Sequence, residues 1–208
     1  MGRIFITFEG GEGAGKTTQI QMLLEYLQQK GFDVVSLRDP GGTPISEKIR
    51  DIVKDKDNAL LTTRAEALLY LAARNQMTET LIKPDLKAGK IVLCDRFSDS
   101  TLAYQGYGNN FMSIEELDKL SLFASSGLKP DLTFLLEIQP EIGLTRKKGQ
   151  GELDRLEMKG LEYHKRVAEG FARVAEDNPD RIVRIDATLD AHEVHKEITN
   201  HVHNNLNI

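Results

Sequence analysis

Short apolar runs alternate with longer amphipathic stretches along the whole chain. The runs are rich in β-branched and aliphatic residues, which is typical of strands buried on both faces of a sheet. The stretches between them have the spacing of helices. This alternation predicts an α/β fold with a parallel sheet. The predicted strands are Ile4 to Phe8, Val34 to Leu37, Ile91 to Cys94, Leu132 to Ile138 and Ile182 to Ile185.

Capping signals mark several helix ends. Gly31 follows the first amphipathic stretch and is expected to end that helix. Thr63 with Glu66, and Ser113 with Glu116, have the spacing of a capping box at the start of a helix. The predicted helices are Thr18 to Lys30, Thr63 to Leu81, Ser98 to Tyr104, Glu141 to Lys147, Asp154 to Glu176 and Ala191 to Leu206, with one more beginning at Ser113.

Size and charge narrow the class of protein. The chain has 208 residues, of which 40% are hydrophobic, so we expect one domain over residues 1–208 with a small appendage. A formal net charge of −5 and the lack of a long apolar stretch make nucleic acid and membranes unexpected partners. The single cysteine, Cys94, cannot form an internal disulfide, which favours a cytoplasmic location.

A glycine-rich loop of the form GxxxxGKT follows the first strand and precedes the first helix. Such a loop turns backbone N–H groups toward phosphate oxygens, and the helix adds the positive end of its dipole. Lys16 is expected to reach the β- and γ-phosphates, and Thr17 to place its hydroxyl on Mg²⁺. The alternative is a tight turn with an incidental lysine. The expected phosphate-binding residues are Gly10, Gly11, Glu12, Gly13, Ala14, Gly15, Lys16, Thr17 and Thr18.

Asp95 and Arg96 directly follow the third predicted strand. Because ligands of open α/β sheets lie at the carboxyl ends of the strands, both side chains should face the glycine-rich loop. Asp95 could hold Mg²⁺, directly or through water, and Arg96 could bridge the donor and acceptor phosphates. The alternative is a local ion pair at a strand end.

The segment from Arg146 to Arg155 is charged, carries glycines and has few apolar residues. We expect that it cannot bury itself against the core and that it forms a mobile lid over about residues 147–155. The alternative is a solvated connection between two helices.

Two further places offer groups for a planar base. Tyr70 and Arg74 are four residues apart and share a helix face, although Tyr70 could equally be a core residue. Thr101 and Gln105 add a hydroxyl and an amide beyond Arg96, or belong to a helix that ends at Gly106.

Asp39 begins a DxxG sequence, which also occurs in GTP-binding switch proteins. No Asn-Lys or Thr-Lys sequence for reading guanine follows it, so the sequence gives little support to a switch protein.

Taken together and in this order, six motifs resemble those of the bacterial thymidylate kinases. They are Gly10 to Thr18, Arg38 to Thr43, Asp95 to Phe97, Ala103 to Gly106, Lys129 to Leu132 and Gly151 to Arg155. The resemblance implies a P-loop three-layer α/β/α fold with a five-stranded parallel sheet and a short lid. It also implies a homodimer that uses Mg²⁺ and transfers the γ-phosphoryl of ATP to dTMP, giving dTDP and ADP.

The resemblance assigns roles to individual residues. Because the loop has no arginine at Glu12 to Ala14, the chain resembles the class whose catalytic arginine lies in the lid. Arg155 is the first choice for that cation, with Lys148 and Lys147 as alternatives. Catalysis is then assigned to Lys16, Arg96 and Arg155, the adenine side to Arg146, and the metal to Thr17 and Asp95. The dTMP site is assigned to Glu12, Asp39, Arg50, Tyr70, Arg74, Arg96, Thr101, Tyr104 and Gln105.

Other functions stay open at this point. A nucleotide-dependent switch or partner-binding module could carry the same loop. Within the kinases, the acceptor could be a deoxynucleoside or another monophosphate such as dUMP.

Overall fold

The protein is described by a computed structural model that covers residues 4–149, 151 and 153–206. Its strands are β1 (Ile4–Glu9), β2 (Val34–Arg38), β3 (Ile91–Asp95), β4 (Leu132–Glu137) and β5 (Ile182–Asp186). Within the described ranges they form one five-stranded sheet in the order β2-β3-β1-β4-β5, and every pairing is parallel. The predicted fold class is confirmed, and each predicted strand is correct to within one residue.

Helices connect the strands and cover both faces of the sheet. They are α1 (Lys16–Gln29), α2 (Pro44–Lys54), α3 (Thr63–Met77), α4 (Lys83–Lys87), α5 (Ser98–Ser100), α6 (Ile114–Ala124), α7 (Pro140–Lys148), α8 (Leu161–Asp177) and α9 (Ala191–Leu206). Two π-helical segments, Thr78–Ile82 and Thr101–Gly108, continue α3 and α5. In the described ranges, none of the helices has the length and apolar character needed to cross a membrane.

The alternation of side chains along β1 builds the three layers. Ile6 and Phe8 belong to a buried cluster that includes Leu23 of α1 and Ile198 of α9. Phe5 points to the opposite face, into a cluster with Met77 at the end of α3. Because β1 is central and covered on both sides, its carboxyl end is held firmly where the glycine-rich loop begins.

Two predicted helix ends are confirmed. Gly31 has a φ of 86° and donates its N–H to the carbonyl of Gln28, so it ends α1 in a conformation that suits glycine. Ser113 caps α6 by accepting the N–H of Glu116 at 3.3 Å.

Two other predicted helix starts are wrong. The cap of α3 is Thr62, which accepts the N–H of Ala65, so the box placed at Thr63 is off by one residue. The helix predicted from Asp154 begins only at Leu161. The Asp154 carboxylate accepts the N–H groups of Leu156 at 3.0 Å and Glu157 at 2.9 Å, which forms a turn before the helix.

Helix α2 was not predicted from the sequence. Pro44 occupies the first helical turn, where its missing N–H has no cost. Thr43 caps the helix by accepting the N–H of Ser46 at 3.0 Å. The predicted helix from Ser98 to Tyr104 exists, but it changes to π-helical geometry at Thr101.

The glycine-rich loop lies directly against the backbone of α7. A Cβ atom built on Gly13 would lie 2.1 Å from the carbonyl oxygen of Gly143, and a Cβ on Gly143 would lie 2.1 Å from the carbonyl oxygen of Glu12. Both neighbours are main-chain atoms, so neither can move aside as a flexible side chain would. Glycine is therefore required on both sides of this contact.

This contact predicts that Gly143→Ala will lower the free energy of unfolding by about 2 kcal/mol, because the added methyl group overpacks two backbone segments. Urea denaturation measures the change. Gly149→Ala is the matched control, since its Cβ would meet its nearest neighbour at 3.4 Å, and it should change stability little. Equal stability of the two variants would contradict the tight contact.

Candidate functional site

The loop after β1 has the backbone that its sequence predicts. Gly10, Gly13 and Gly15 have φ values of 133°, 67° and 89°, which side chains with a Cβ rarely adopt. Gly15 is the N-cap of α1, and no side chain caps this helix start. The first N–H groups of α1 are therefore directed toward the loop, which makes an anion site.

Lys16 folds back over this loop. Its Nζ donates hydrogen bonds to the carbonyl oxygens of Gly10 at 3.1 Å and Gly11 at 2.8 Å. Burial, together with the nearby positive charge of Arg96, lowers the pKa of Lys16 to about 8, although nearby carboxylates oppose the shift. An anion bound in the loop would favour the charged lysine.

Arg96 sits at the centre of the site in a left-handed conformation, with a φ of 70°. One guanidinium nitrogen donates to the carbonyl oxygen of Gly10 at 2.7 Å, and the other donates to Glu12 at 2.9 Å. The guanidinium also lies 4.8 Å from the ring centre of Tyr104. Burial opposes its charge, but Tyr104, Glu12 and other acidic groups raise the pKa of Arg96, so it stays a cation.

Glu12 is the acidic partner in this group. Burial acts against its charge, yet Arg96 and Lys16 hold its pKa at about 2. Tyr104 donates its hydroxyl to the same carboxylate oxygen at 2.7 Å. The ionised Glu12 therefore aligns a guanidinium and a phenol on one wall of the site.

Glu9 stabilises the strained backbone at Arg96 by accepting hydrogen bonds from the residues that follow it. This buried carboxylate accepts the N–H of Phe97 at 2.7 Å and the hydroxyl of Ser100 at 2.6 Å. Ser100 in turn accepts a hydrogen bond from Arg96 at 3.3 Å. Burial, with the nearby charge of Asp99, raises the pKa of Glu9 to about 7.

Thr17 and Asp95 supply the oxygen atoms that suit Mg²⁺. The Thr17 hydroxyl donates to the Asp95 carboxylate at 3.1 Å. Magnesium is commonly bound by one or two protein oxygens, with phosphates and waters completing its shell. The pair fits that chemistry, and within residues 4–149, 151 and 153–206 no cluster of three or more His, Cys, Asp or Glu side chains offers a complete protein cage.

A buried ion pair forms the far wall. Arg74 donates from Nε to Asp39 at 2.6 Å, and both side chains are almost fully buried. The second oxygen of Asp39 is buried without a hydrogen-bond partner in the described part of the chain. Arg50 lies beside the pair and donates to the carbonyl oxygen of Pro40 at 2.8 Å.

These groups enclose a cavity of about 270 Å³ at the carboxyl ends of the strands. It brings together most of the site residues that the sequence predicts. Those in its wall are Glu12, Gly13, Ala14, Gly15, Lys16, Thr17, Thr18, Asp39, Arg50, Tyr70, Arg74, Asp95, Arg96, Tyr104 and Gln105.

Five predicted residues are not in the cavity wall. Gly10 and Gly11 lie behind it, with their carbonyl oxygens turned to Lys16. Thr101 is buried, and its hydroxyl has no partner among the described residues. Arg146 donates to the carbonyl oxygen of Ala187 at 3.2 Å, and Arg155 is held in an ion pair described next.

The end of the predicted lid is half-buried and held by the rest of the protein, contrary to expectation. Arg155 donates to Glu66 at 2.6 Å and to the carbonyl oxygen of Val53 at 2.9 Å. Leu156 packs with Val53 and Tyr70 in a small apolar cluster. Arg155 can lie against the protein because Glu66 balances its charge. The composition of the segment does not reveal a partner so far away in the sequence.

Among the lid cations, Lys147 is the one in the cavity wall, where it lies 3.5 Å from Glu157. Lys148 is exposed on the helix surface. Gln150 and Glu152 of the predicted lid lie outside the described residues. Which cation acts in the reaction stays a prediction.

Seven wall residues were not predicted as site residues, although Arg38, Pro40 and Asp154 lie in the quoted motifs. They are Arg38, Pro40, Lys54, Ser100, Asp154, Leu156 and Glu157. Lys54 and Asp154 are joined by an ion pair at 2.7 Å that ties α2 to the lid segment. The only signal for Lys54 was the amphipathic pattern of α2. Ser100 could have been found from its spacing of four residues after Arg96.

A loop of this kind at the carboxyl ends of parallel strands, facing a cavity rich in cations, is the arrangement of the P-loop kinases, the class that this fold and site define. The profile of the family described as thymidylate kinase matches residues 8–198. The chain belongs to the thymidylate kinase family, and it is a kinase.

Individual relatives support the same family assignment. The chain is 48% identical to the thymidylate kinase of Geobacillus sp., over 91% of each chain. It is 46% identical to that of Exiguobacterium sp., over 90% of this chain and 88% of the relative. It also resembles the crystal structure of thymidylate kinase from Ehrlichia chaffeensis, with a TM-score of 0.77, 34% identity, and coverage of 97% of this chain and 99% of that chain.

The buried pair in the far wall leads to a prediction about stability. Asp39→Ala should lower the free energy of unfolding by about 3 kcal/mol, because it leaves the Arg74 guanidinium buried without its counter-charge. Glu176→Ala is the matched control, since it breaks the exposed pair with Arg173 and should have little effect.

Chemical denaturation compares these variants with the double variant Asp39→Ala and Arg74→Met. The double variant should recover part of the loss, because no unpaired charge remains. A loss that the second substitution only deepens would contradict this account of the pair.

Proposed function

We propose that the protein transfers the γ-phosphoryl group of ATP to dTMP, giving dTDP and ADP. The observation that carries the proposal is the cavity itself. In a chain of the thymidylate kinase family, one space is bounded by the phosphate loop, by Arg96 and by the aromatic and amide groups suited to a base.

The reaction is an in-line phosphoryl transfer without a covalent enzyme intermediate. The protein contributes by positioning two anionic substrates and by neutralising charge that develops between them. Lys16 serves the β- and γ-phosphates, and Arg96 bridges the transferred group and the acceptor phosphate. Glu12 fixes the guanidinium of Arg96 through their 2.9 Å hydrogen bond.

Mg²⁺ would be held by Thr17 and Asp95, whose oxygens are already adjacent. When bound, the ion neutralises phosphate charge. The carboxylate of Asp39, with one oxygen free of protein hydrogen bonds in the described ranges, is suited to the acceptor side.

The acceptor occupies the part of the cavity bounded by α3 and the π-helical segment. Tyr70 stacks on the thymine, and Gln105 meets its edge. Thr101 lies one turn earlier on the same π-helical segment, buried behind the cavity wall, and Arg50 and Arg74 line the remainder of the site. Tyr104, held by Glu12, crowds the position of a ribose 2′-hydroxyl and so favours the deoxy sugar. On the donor side, Arg146 lies along the adenine, and a lid cation, Arg155, Lys148 or Lys147, completes the site.

The protein is further proposed to be a cytoplasmic homodimer. Helices α3 and α6 pack against each other and expose large apolar side chains, with Leu68 at 61% and Phe123 at 82% exposure. Exposed apolar groups of this size on neighbouring helices suit an interface between two copies. Cys94 is a buried free thiol, which suits a reducing compartment.

The acceptor is tested by measuring ADP release with ATP and Mg²⁺ over a panel of nucleosides and nucleoside monophosphates. The expected result is rapid release with dTMP and slow release with thymidine, dCMP, dAMP and dGMP. ADP release that is independent of any acceptor would favour a nucleotide switch and contradict the proposal.

Within that assay, Lys16→Ala and Arg96→Ala should each lower kcat/KM by about 1,000-fold or more, because each removes a cation from the transferred phosphoryl group. Lys165→Ala is the control, since this lysine is half exposed on α8 and pairs with surface glutamates. Near-normal activity of Lys16→Ala or of Arg96→Ala would refute the role assigned to that residue.

The dimer is tested by sedimentation velocity at micromolar protein. Phe123→Glu should shift the protein from dimer to monomer, because it places a charge in the apolar interface. Leu189→Glu changes a side chain of 43% exposure outside α3 and α6, and it should leave the dimer intact. A wild-type monomer, or a dimer in both variants, would contradict the proposed interface.

A further inference from the structure

Glu66 has no role in the mechanism so far, yet it is one of the most enclosed charged groups of the described chain. It lies in the first turn of α3, one turn before Tyr70, and its side chain is 1% exposed. Its Oε1 accepts hydrogen bonds from Gln105 at 3.3 Å and Asn109 at 3.0 Å. Its Oε2 accepts from Arg155 at 2.6 Å, and Lys159 approaches both oxygens.

The carboxyl group is ionised in this setting. Burial acts to raise its pKa, but the positive charges of Lys159 and Arg155 and the hydrogen bonds from Arg155 and Asn109 hold the pKa of Glu66 below its usual value. An ionised carboxylate only accepts hydrogen bonds. Every group that faces it must therefore present a donor.

The neighbouring amide groups obey this rule. Lys159 donates to Asn109 Oδ1 at 3.0 Å, which leaves the amide nitrogen of Asn109 for Glu66. Gln105 likewise directs Nε2 to Glu66. Its Oε1 has no hydrogen-bond partner in the described ranges, and the residue lines the cavity, so Oε1 is left for a ligand.

Amide orientation matters because thymine and cytosine present opposite edges. Thymine and uracil carry an N3–H donor beside a 4-oxo acceptor, whereas cytosine carries an N3 acceptor beside a 4-amino donor. A glutamine that can rotate its amide by half a turn exchanges acceptor and donor and can therefore match either edge. Beside Glu66, the rotated form would place two acceptor oxygens against each other.

We propose that Glu66 is a specificity-determining positioning residue, which locks the amide of Gln105 in the orientation that matches a 4-oxo pyrimidine and so excludes a 4-amino pyrimidine. The inference rests on the proposed function, since it takes dTMP as the acceptor and Gln105 as its partner. Glu66 touches neither substrate and acts only through Gln105.

The test measures dissociation constants of dTMP, dUMP and dCMP by calorimetry for the wild type and Glu66→Gln. The new amide can donate to Gln105 Oε1 and so permit the rotated form. The ratio of dCMP to dTMP dissociation constants should fall by about tenfold, the effect of one mismatched buried hydrogen bond. The ratio for dUMP to dTMP should stay constant, because both share the 4-oxo edge.

Two controls separate positioning from general damage. Lys159→Met removes a cation from the same carboxylate but keeps the contact with Gln105, and it should leave the dCMP to dTMP ratio unchanged. In a Gln105→Ala background, Glu66→Gln should no longer change the ratio, because the group through which it acts is missing. Thermal unfolding of each variant checks that it is folded under the conditions of the binding measurement.

The inference is overturned if folded Glu66→Gln keeps the wild-type ratio, if it changes the ratio equally without Gln105, or if the wild type binds dCMP as well as dTMP. The proposed function fails separately, if the wild type does not phosphorylate dTMP at all.

Discussion

The site depends on a group of enclosed charges at the end of β1, in which the Glu12 carboxylate holds the cations Lys16 and Arg96 close together. Lys16 is buried, the side chains of Arg96 and Glu12 are only 18% and 17% exposed, and each is held by a hydrogen bond to the loop or to another member of the group. A buried charge without such a partner is costly, so the group is stable only as a whole. The fold thus places the cations of the site at the phosphate loop before any substrate is bound.

That organisation begins with the sheet. Strands β1 and β3 pair along their length, up to Phe8 opposite Asp95. The segments that follow the two strands therefore begin side by side at the same edge of the sheet. Arg96 then reaches the carbonyl oxygen of Gly10 only because its backbone takes a left-handed conformation, and Glu9 secures the turn that follows. The chemistry of the site is thus an outcome of strand register, local backbone geometry and one buried carboxylate.

Sequence patterns predicted the elements whose local signals agree with the fold. The five strands and the glycine-rich loop fall in this group, since apolar runs and glycine spacing act over a few residues. Glu66 was seen only as part of a cap, because the four donor groups around it come from positions far from it in the chain. Arg155 was expected to be mobile for the same reason: its charge indicates solvent exposure until a distant carboxylate is found beside it. Helix α2 was not predicted because it begins with Pro44 shortly after two glycines, and glycine and proline together usually indicate a turn.

The close approach of Gly13 and Gly143 has a mechanical consequence. Two backbones in contact without intervening side chains cannot slide or tilt independently, so the phosphate loop and the beginning of α7 form a single rigid body. Any motion that widens the cavity must therefore leave the phosphate loop and the beginning of α7 fixed relative to each other.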